Sequence, residues 1–384
     1  MDFLASILAS EQARRDAFPI CENKVFMAHA AVTTVPRVVA DAMGAFSRGA
    51  SAHAPDFNET LKLIQQTREV AARLIWATPE EVALLGPTSL GLSLFANGID
   101  WREGDEVLCY LDDYPANVYP WLNLRTRGVA VRFLEPSAPG AITPGLVEEA
   151  LGSRTRLVAL ASCHFVSGYR IDIAGIGQLL RQRGVLFSLD AIQTLGAFPT
   201  SAEHVDFLSA DAHKWLLGPL AIGIVFVRKD RFELCRPTLL GSWNIKAPGF
   251  MAQPEIEFLP TAQRYEPGAL NLPGIAGMKA GIELLLEVGI EHVAGRILSI
   301  RERLVRGLEE LGFRTLGAPD SAQSGIITVL HPSRDVTASF EKLGRENIVC
   351  SPRQDRAGTN LLRFSPHFYN TEAEVDRVLG VLKG

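Results

Sequence analysis

The sequence predicts an α/β fold built around a mostly parallel β-sheet, followed by a smaller α+β domain at the carboxyl end. Between about residues 80 and 227, short apolar runs rich in β-branched residues alternate with segments of helical periodicity. Most of these runs lack polar alternation, which is typical of strands that helices cover on both faces. Such an alternation predicts a parallel sheet with helices packed against it.

Length and composition limit the possible classes of protein. The chain has 384 residues, more than one hydrophobic core usually supports, so two domains are expected. Hydrophobic residues make up 47% and charged residues 21% of the chain, a balance typical of globular proteins. The net charge of −5 argues against nucleic acid or an anionic membrane as the main partner. No apolar run is long enough to span a bilayer, and acidic Asp2 argues against a secretory signal.

The cysteines favour a reduced, cytoplasmic protein. They are odd in number, scattered and without a CxxC pair: Cys21, Cys109, Cys163, Cys235 and Cys350. This pattern predicts neither disulfide bonds nor a metal site.

The predicted elements follow the same plan. Strands are expected at residues 106–110, 129–133, 157–161, 185–189 and 207–209, and helices at 144–151 and 173–183. Residues 221–227 should form an antiparallel neighbour, because the turn at Gly218-Pro219 is too short for a helical crossover.

The remaining segments predict the domain organisation. The first 18 residues indicate one short amphipathic helix, and the Pro- and Gly-rich stretch 236–267 indicates a link between domains. Helices are expected at 275–288, 290–310 and 371–382, with Thr371 as N-cap and Glu374 at the third position, and strands at 326–330 and 361–364. We expect an N-terminal segment, 1–20, that packs with the small domain, a large domain, 21–262, and a small domain, 263–384.

Three groups are predicted to meet at the carboxyl ends of the parallel strands. Thr88 and Ser89 open a helical segment and could cradle a phosphate or simply cap the helix. Asp190 ends an apolar run and could hold a protonated ring nitrogen or cap a helix. Lys214 follows the 207–209 strand and could be a carbonyl nucleophile or a surface lysine. Together they match the phosphate, pyridine nitrogen and aldehyde of pyridoxal 5′-phosphate (PLP).

Six motifs, in a characteristic order, indicate a family. They are Pro87-Thr-Ser-Leu-Gly91, Asp112-Asp-Tyr-Pro-Ala-Asn-Val-Tyr-Pro-Trp121, Asp190-Ala-Ile-Gln193, His213-Lys-Trp215, Tyr265-Glu-Pro-Gly268 and Arg363-Phe-Ser-Pro-His-Phe-Tyr-Asn-Thr371. The chain resembles the class V aminotransferase family of fold-type I PLP-dependent enzymes, which includes cysteine desulfurases, kynureninases and isopenicillin N epimerase-like proteins. Such proteins are generally homodimers, so the resemblance implies a homodimer with active sites at the interface.

The resemblance implies roles for the cofactor-binding residues. Lys214 would bind the cofactor aldehyde covalently, Asp190 would pair with the ring nitrogen, and Gln193 would donate to the phenolic oxygen. His213, with Thr88 and Ser89, would hold the phosphate.

Several further positions are compared with the cofactor site of the family. Trp243 loosely matches a tryptophan that contacts the phosphate in kynureninases, although a place in a dimer interface would explain it equally well. Ser162 falls where many members stack an imidazole on the ring, whereas nearby His164 is expected to be structural. Asp211 replaces a desulfurase serine and is expected to bind something other than phosphate. Ala269 replaces a threonine that reaches the partner's phosphate in many relatives.

The substrate side of the site is predicted from the last motifs. Arg363 would bind the substrate α-carboxylate, because a guanidinium matches a carboxylate with two parallel hydrogen bonds. Asn117 and Arg353 are further candidates for substrate contact. Arg353 and His367 could reach the substrate side chain, which suggests an acidic or polar amino acid.

The reaction is narrowed to chemistry at the Cα of an amino acid. A class V aminotransferase is favoured; a lyase of the cysteine desulfurase, selenocysteine lyase or kynureninase kind and an epimerase remain alternatives. Desulfuration requires a mobile cysteine, and Cys350 lies at the beginning of a strand-like run, where a small buried hydrophobe is expected. A non-catalytic PLP-binding module is disfavoured by the retained Lys214, Asp190 and Arg363. A nicotinamide dehydrogenase is disfavoured because the nearest glycine pattern, from Gly175, lacks its third glycine.

Overall fold

The computed structural model describes residues 3–317, 319 and 322–383, and a seven-stranded sheet lies at its centre. Within the described residues the strands are β1 (Val25–Phe26), β2 (Val82–Leu84), β3 (Glu106–Cys109), β4 (Ala130–Phe133), β5 (Thr155–Ala161), β6 (Leu186–Asp190), β7 (Phe207–Asp211), β8 (Gly223–Val227), β9 (Arg314–Thr315), β10 (Ile327–Leu330), β11 (Ile348–Val349), β12 (Ser351–Gln354) and β13 (Asn360–Phe364).

Helices surround this sheet and complete the carboxyl-terminal part of the chain. Those of the described residues are α1 (Phe3–Ala9), α2 (Glu11–Ala17), α3 (Arg37–Ala52), α4 (Phe57–Ile75), α5 (Thr88–Gly98), α6 (Tyr119–Asn123), α7 (Pro144–Ala150), α8 (Ile173–Gln182), α9 (Leu272–Val288), α10 (Ile290–Glu310), α11 (Val336–Arg345) and α12 (Glu372–Lys383). None of these described helices combines the length and the apolar run that crossing a membrane requires.

The large sheet has the order β2-β8-β7-β6-β5-β3-β4, and only β8 runs against the other strands. The mostly parallel sheet and its antiparallel β8 are therefore confirmed. Alternate residues of each strand enter two different cores. In β7, Phe207 packs with α5 on one face, whereas Leu208 packs with α8 and α9 on the other. This double burial explains why the strands are apolar at nearly every position.

A second, antiparallel sheet belongs to the carboxyl-terminal part of the chain. Its order is β12-β13-β10-β9, and it shares a hydrophobic core with α10, α11 and α12. Helix α12 begins as predicted: the Thr371 hydroxyl accepts from the Glu374 backbone N–H at 3.3 Å, and the Glu374 carboxylate accepts from the Thr371 N–H at 3.0 Å. The large sheet and this smaller α+β unit confirm the predicted fold class.

The amino-terminal segment differs from its prediction. The expected single helix is wrong, because the chain breaks into α1 and α2 at Ser10. The Ser10 hydroxyl accepts a hydrogen bond from the Ala13 backbone N–H at 3.2 Å and so begins a new helix. The two short helices turn back onto the rest of the chain.

Arg14 attaches α2 to the carboxyl-terminal helix. Its guanidinium is buried and donates to the Glu374 carboxylate at 2.9 Å and to Glu11 at 2.8 Å. The ring of Phe18 stacks on that of Tyr369, with 3.9 Å between the ring centroids. These contacts lie between the predicted N-terminal segment and the predicted small domain; the domain boundaries themselves stay a prediction.

Replacing Arg14 tests the buried attachment. We expect Arg14→Gln to lower the free energy of unfolding by about 3–5 kcal/mol, because it leaves the Glu374 charge buried without its partner. The matched control is Arg15→Gln, since exposed Arg15 also contacts Glu11 and should cost only about 0.2–1 kcal/mol. Urea unfolding followed by tryptophan fluorescence measures both, and equal losses would contradict the assigned role.

Candidate active site

A cavity of about 380 Å³ lies at the carboxyl ends of β6 and β7, where parallel α/β sheets place their ligand sites. It brings together most of the residues predicted from the sequence. Those that line it are Thr88, Ser89, Asp190, Gln193, His213, Lys214, Arg353 and Arg363. Four predicted residues do not line it: Asn117, Ser162, Trp243 and His367.

Lys214 stands at this edge because β7 ends at Asp211 and the chain turns directly into the cavity. The residue is only 7% exposed. Burial lowers the pKa of its amine to about 8; the Asp190 carboxylate opposes this shift, whereas Arg363 and Arg353 add to it. A large fraction of the amine is therefore neutral near pH 8, the form that attacks a carbonyl.

Asp190 is the last residue of β6 and is almost fully buried. Its Oδ1 accepts a hydrogen bond from the Ile192 backbone N–H at 3.0 Å. Burial raises the pKa of the carboxyl to about 7, and the nearby Asp113 carboxylate adds to the shift. A cation beside this carboxylate would remove the cost of its ionisation, and a protonated pyridine nitrogen is such a cation.

Thr88 and Ser89 form a cradle at the amino end of α5. The Thr88 hydroxyl accepts from the Asp211 backbone N–H at 2.8 Å, which leaves its own proton for a ligand. The helix can lie this close to β7 because residue 91 is a glycine. A Cβ at this position would stand only 2.4 Å from the Ser209 hydroxyl oxygen. The free N–H groups and the dipole at this helix end suit a phosphate.

Asp211 acts on His213, as the sequence suggested it would act on something other than phosphate. Its Oδ1 accepts from the backbone N–H groups of Ala212 at 2.8 Å and Ile222 at 3.1 Å. Its Oδ2 lies 2.9 Å from Nδ1 of His213. Neither atom has a hydrogen-bond partner among the described residues, so the contact places a negative charge beside the imidazole without fixing it by a hydrogen bond. The Nε2 atom of His213 remains for a ligand in the cavity.

Gln193 is held by a network behind the cavity. Its Oε1 accepts from the Trp215 indole N–H at 3.0 Å, and its Nε2 donates to the Ala30 carbonyl at 3.2 Å. A side-chain amide has two N–H donors, so one remains for a ligand. The fixed orientation suits the predicted donation to a phenolic oxygen.

Arg363 brings a buried cation to the opposite wall. It lies in β13, is fully buried, and donates from Nη1 to the Phe165 carbonyl at 2.6 Å. Within the described residues, its Nε and Nη2 are buried and have no hydrogen-bond partner. Burial, followed by the Arg353 guanidinium, lowers the pKa of Arg363 to about 9. Two free donors on a buried cation are the arrangement that a carboxylate completes.

Tyr114 is a residue of the cavity that sequence reasoning missed. The Lys214 Nζ lies 5.4 Å from the centroid of its ring, and the ring contacts Phe165 edge to face at 5.5 Å. Ser162, the predicted ring-stacking position, lies behind the cavity instead, where its hydroxyl accepts from Thr194 at 2.9 Å. The signal available in the sequence was that Tyr114 is an aromatic residue within the Asp112–Trp121 motif.

Asn117 and Trp243 also lie outside the cavity. The Asn117 amide donates to Asp113 Oδ2 at 3.0 Å and accepts from the Trp121 indole N–H at 3.3 Å, so it supports the turn that carries Tyr114. Trp243 lines a different surface pocket, with Phe57, whose ring centroid is 6.4 Å away.

The two histidines near the motifs are structural. His164 bonds to the Ser167 hydroxyl at 2.9 Å and the Asp112 carbonyl at 3.0 Å, as expected of a satisfied histidine. His367 does not line the cavity; it bonds to the Trp215 carbonyl at 3.0 Å, and burial lowers its pKa to about 4. The expectation that His367 reaches a substrate is therefore wrong.

No cysteine lines the cavity within the described residues. Cys350 lies immediately before β12 and is buried, and burial raises the pKa of its thiol to about 12. This is the environment of an unreactive, structural cysteine.

The site combines a buried lysine, a carboxylate beside it, a phosphate cradle and an arginine with free donors. Such a site on a mostly parallel sheet defines a fold-type I PLP-dependent enzyme. The chain belongs to the class V aminotransferase family, whose model, Aminotransferase class-V, matches residues 25–378. Membership confirms the predicted class of enzyme and PLP as its cofactor. The residues present fit PLP, since they offer a separate partner for its phosphate, ring nitrogen and aldehyde.

Individual relatives place the chain among several activities. It is 27% identical to a probable cysteine desulfurase of Methanothermobacter thermautotrophicus, over 96% of each chain. It is 26% identical to the isopenicillin N epimerase of Streptomyces clavuligerus, over 91% of each. The fold matches that of a C-DES mutant with glycine covalently linked to its PLP cofactor, with a TM-score of 0.86 and 23% identity over 96% of this chain and 98% of that one.

The lowered pKa of Lys214 predicts how PLP attachment depends on pH. Only the neutral amine attacks the aldehyde, so the rate constant should rise about tenfold per pH unit below pH 8 and level off above it. Stopped-flow absorbance on the apoprotein mixed with PLP measures this profile. A rate that still rises at pH 10, as for an ordinary lysine with a pKa of about 10.4, would contradict the environment described.

Proposed function

We propose that this protein is an aminotransferase that exchanges the amino group of an amino acid with the oxo group of a 2-oxo acid. The observation that supports this most is that buried Lys214 shares one cavity with Asp190 and Arg363, and that no cysteine of the described residues lines it. The exchange balances, because one amino acid and one 2-oxo acid are consumed and one of each is formed. No further nucleophile is required from the protein.

The chain's own residues supply the positioning and the proton transfers. Arg363 binds the α-carboxylate and so holds the substrate Cα beside Lys214. The neutral Lys214 amine accepts the Cα proton and returns it, as its lowered pKa allows. Ionised Asp190 stabilises positive charge on the ring nitrogen of PLP, which acts as an electron sink for the Cα electrons.

The orienting residues limit the ways in which the cofactor can lie. His213, Thr88 and Ser89 bind the phosphate at the amino end of α5, and Asp211 places a negative charge beside the imidazole of His213. Tyr114 covers one side of the site at Lys214. With the phosphate and the ring nitrogen both held, the reacting carbon stays within reach of Lys214.

Cysteine desulfuration is the second candidate, since the archaeal relative bears that name. It would require a thiol that approaches the substrate, whereas Cys350 is buried near the start of β12. Because this thiol is buried and does not line the cavity, we rank this candidate below transamination.

We also propose that the active form is a cytoplasmic homodimer. One surface pocket contains the half-buried Trp243 and three exposed apolar side chains. These are Phe57, Leu61 and Phe250, each at least 40% exposed. A second copy of the chain would cover them. All five cysteines are free thiols, as expected in a reducing compartment.

Replacing Lys214 tests the proposed reaction. The holoenzyme, given an amino acid and pyruvate, should form alanine and a 2-oxo acid, which chromatography measures. Lys214→Ala should remove the visible absorbance band of lysine-bound PLP and lower the rate by about 10²–10⁴ or more, because proton transfer at Cα is lost. Lys229→Ala is the control. Lys229 is exposed and follows β8 of the large sheet, so this substitution should change neither the absorbance band nor the rate. An intact band with no exchange for any donor would reject transamination.

The role of Cys350 separates the two candidates. With L-cysteine as substrate, we expect any sulfide release to be the same in Cys350→Ser as in the wild type, because the thiol is buried and mostly protonated. Cys235→Ser, at another buried thiol whose pKa burial raises to about 12, controls for lost stability. Sulfide release that Cys350→Ser abolishes and Cys235→Ser retains would establish the desulfurase instead.

A further inference from the structure

Two arginines of the small sheet face the cavity from neighbouring strands. In the antiparallel pairing of β12 with β13, Ser351 lies opposite Arg363 and Arg353 lies opposite Leu361. Arg353 and Arg363 are therefore diagonal neighbours, with about 7–8 Å between their Cα atoms. The alternation of side chains along a strand places both on the same face of the sheet. Both arginines line the cavity that also holds Lys214.

Both arginines have donors that no described residue uses. In Arg363 these are the buried Nε and Nη2 atoms, and in partly buried Arg353 it is the buried Nε atom. Arg353 Nη1 donates to the Pro352 carbonyl at 3.1 Å, a contact that leaves its charge unpaired. Burial lowers the pKa of Arg353, as it does for Arg363, and no carboxylate of the described residues forms a salt bridge with either guanidinium.

The charges of the site leave one anion missing. PLP would bring a phosphate for His213 and the α5 helix end, and its ring nitrogen would pair with Asp190. The substrate α-carboxylate satisfies Arg363. No carboxylate among the described residues that line the cavity remains for Arg353, since Asp190 is the only one there. A partly desolvated guanidinium without an anion is unfavourable, so a ligand group is expected to supply it.

We infer that Arg353 binds a second carboxylate, and that the substrate is therefore an amino acid with an acidic side chain. This rests on the proposed function in that the amino group of the same substrate must reach Lys214. Arg363 holds the α-carboxylate and Arg353 the side-chain carboxylate, so the two guanidiniums span one dicarboxylic ligand. The spacing sets the orientation as well as the charge preference.

Dicarboxylates that lack an amino group test the pair of arginines without any reaction. Succinate and glutarate are titrated into the holoenzyme, with the monocarboxylates butyrate and valerate of matched length for comparison. Each dicarboxylate should bind at least about tenfold more tightly, the usual worth of a charge-assisted hydrogen bond. Perturbation of the PLP absorbance band and the shift in thermal midpoint both report binding.

Substitutions at Arg353 assign the preference to one side chain. Arg353→Gln should abolish the advantage of the dicarboxylates and weaken monocarboxylate binding much less, whereas Arg353→Lys should keep part of the advantage. Arg314→Gln, at an exposed arginine of β9 in the same sheet, should match the wild type. Equal affinities for mono- and dicarboxylates, or a preference that survives in Arg353→Gln, would overturn the inference. So would Arg353→Gln weakening PLP affinity instead, because Arg353 would then be a phosphate ligand.

Reactive substrates separate this inference from the proposed function. L-aspartate and L-glutamate should each exchange with pyruvate faster than their amides, L-asparagine and L-glutamine, and Arg353→Gln should remove the difference. Selective dicarboxylate binding without exchange would reject the aminotransferase and keep the acidic-ligand site. Exchange without a preference for acidic donors would support the aminotransferase and reject the acidic-ligand site. The pair of acidic donors also shows which side-chain length the two arginines span.

Discussion

The cost of burying charged groups at one edge of a parallel sheet dominates this structure. Lys214, Asp190 and Arg363 are each at most 7% exposed, and each is held there by the end of a strand or by a strand itself. Their pKa values are all shifted toward the neutral form, mainly by burial. Such a cluster is unfavourable by itself, and the groups of PLP and of an amino acid are of the charge that would relieve it.

The two sheets divide the chemistry between them. The large sheet carries the groups that face the cofactor, because its parallel strands all end at the same edge. The small antiparallel sheet carries Arg353 and Arg363, which line the same cavity and are the proposed substrate contacts. Arg356 connects the two parts on the outside, since it donates to the Leu111 carbonyl at 3.1 Å and contacts the Asp112 carboxylate, two residues before Tyr114. The proposed substrate contacts thus come from a different layer from the proposed cofactor contacts.

Prediction succeeded where a local pattern had one physical meaning. The doubly buried strands were found because continuous apolar runs fit few other structures, and α10 and the α12 capping box matched closely. The amino-terminal region fared worse: α1 and α2 were merged, and α3 and α4 were not predicted. Helices α3 and α4 pack against α9, about 200 residues further along the chain. No local sequence pattern shows such a contact, although tertiary packing of this kind stabilises most helices.

The sequence by itself determined the class of fold, the family and most of the residues that line the cavity, because Thr88, Asp190, Lys214 and Arg363 lie in motifs tied to strand and helix ends. Tertiary structure decided which side chains share a space. It placed Tyr114 rather than Ser162 beside Lys214, turned Asp211 toward His213, and set Arg353 next to Arg363. These relations depend on strand register and on side-chain direction across the fold, and the order of residues along the chain specifies neither.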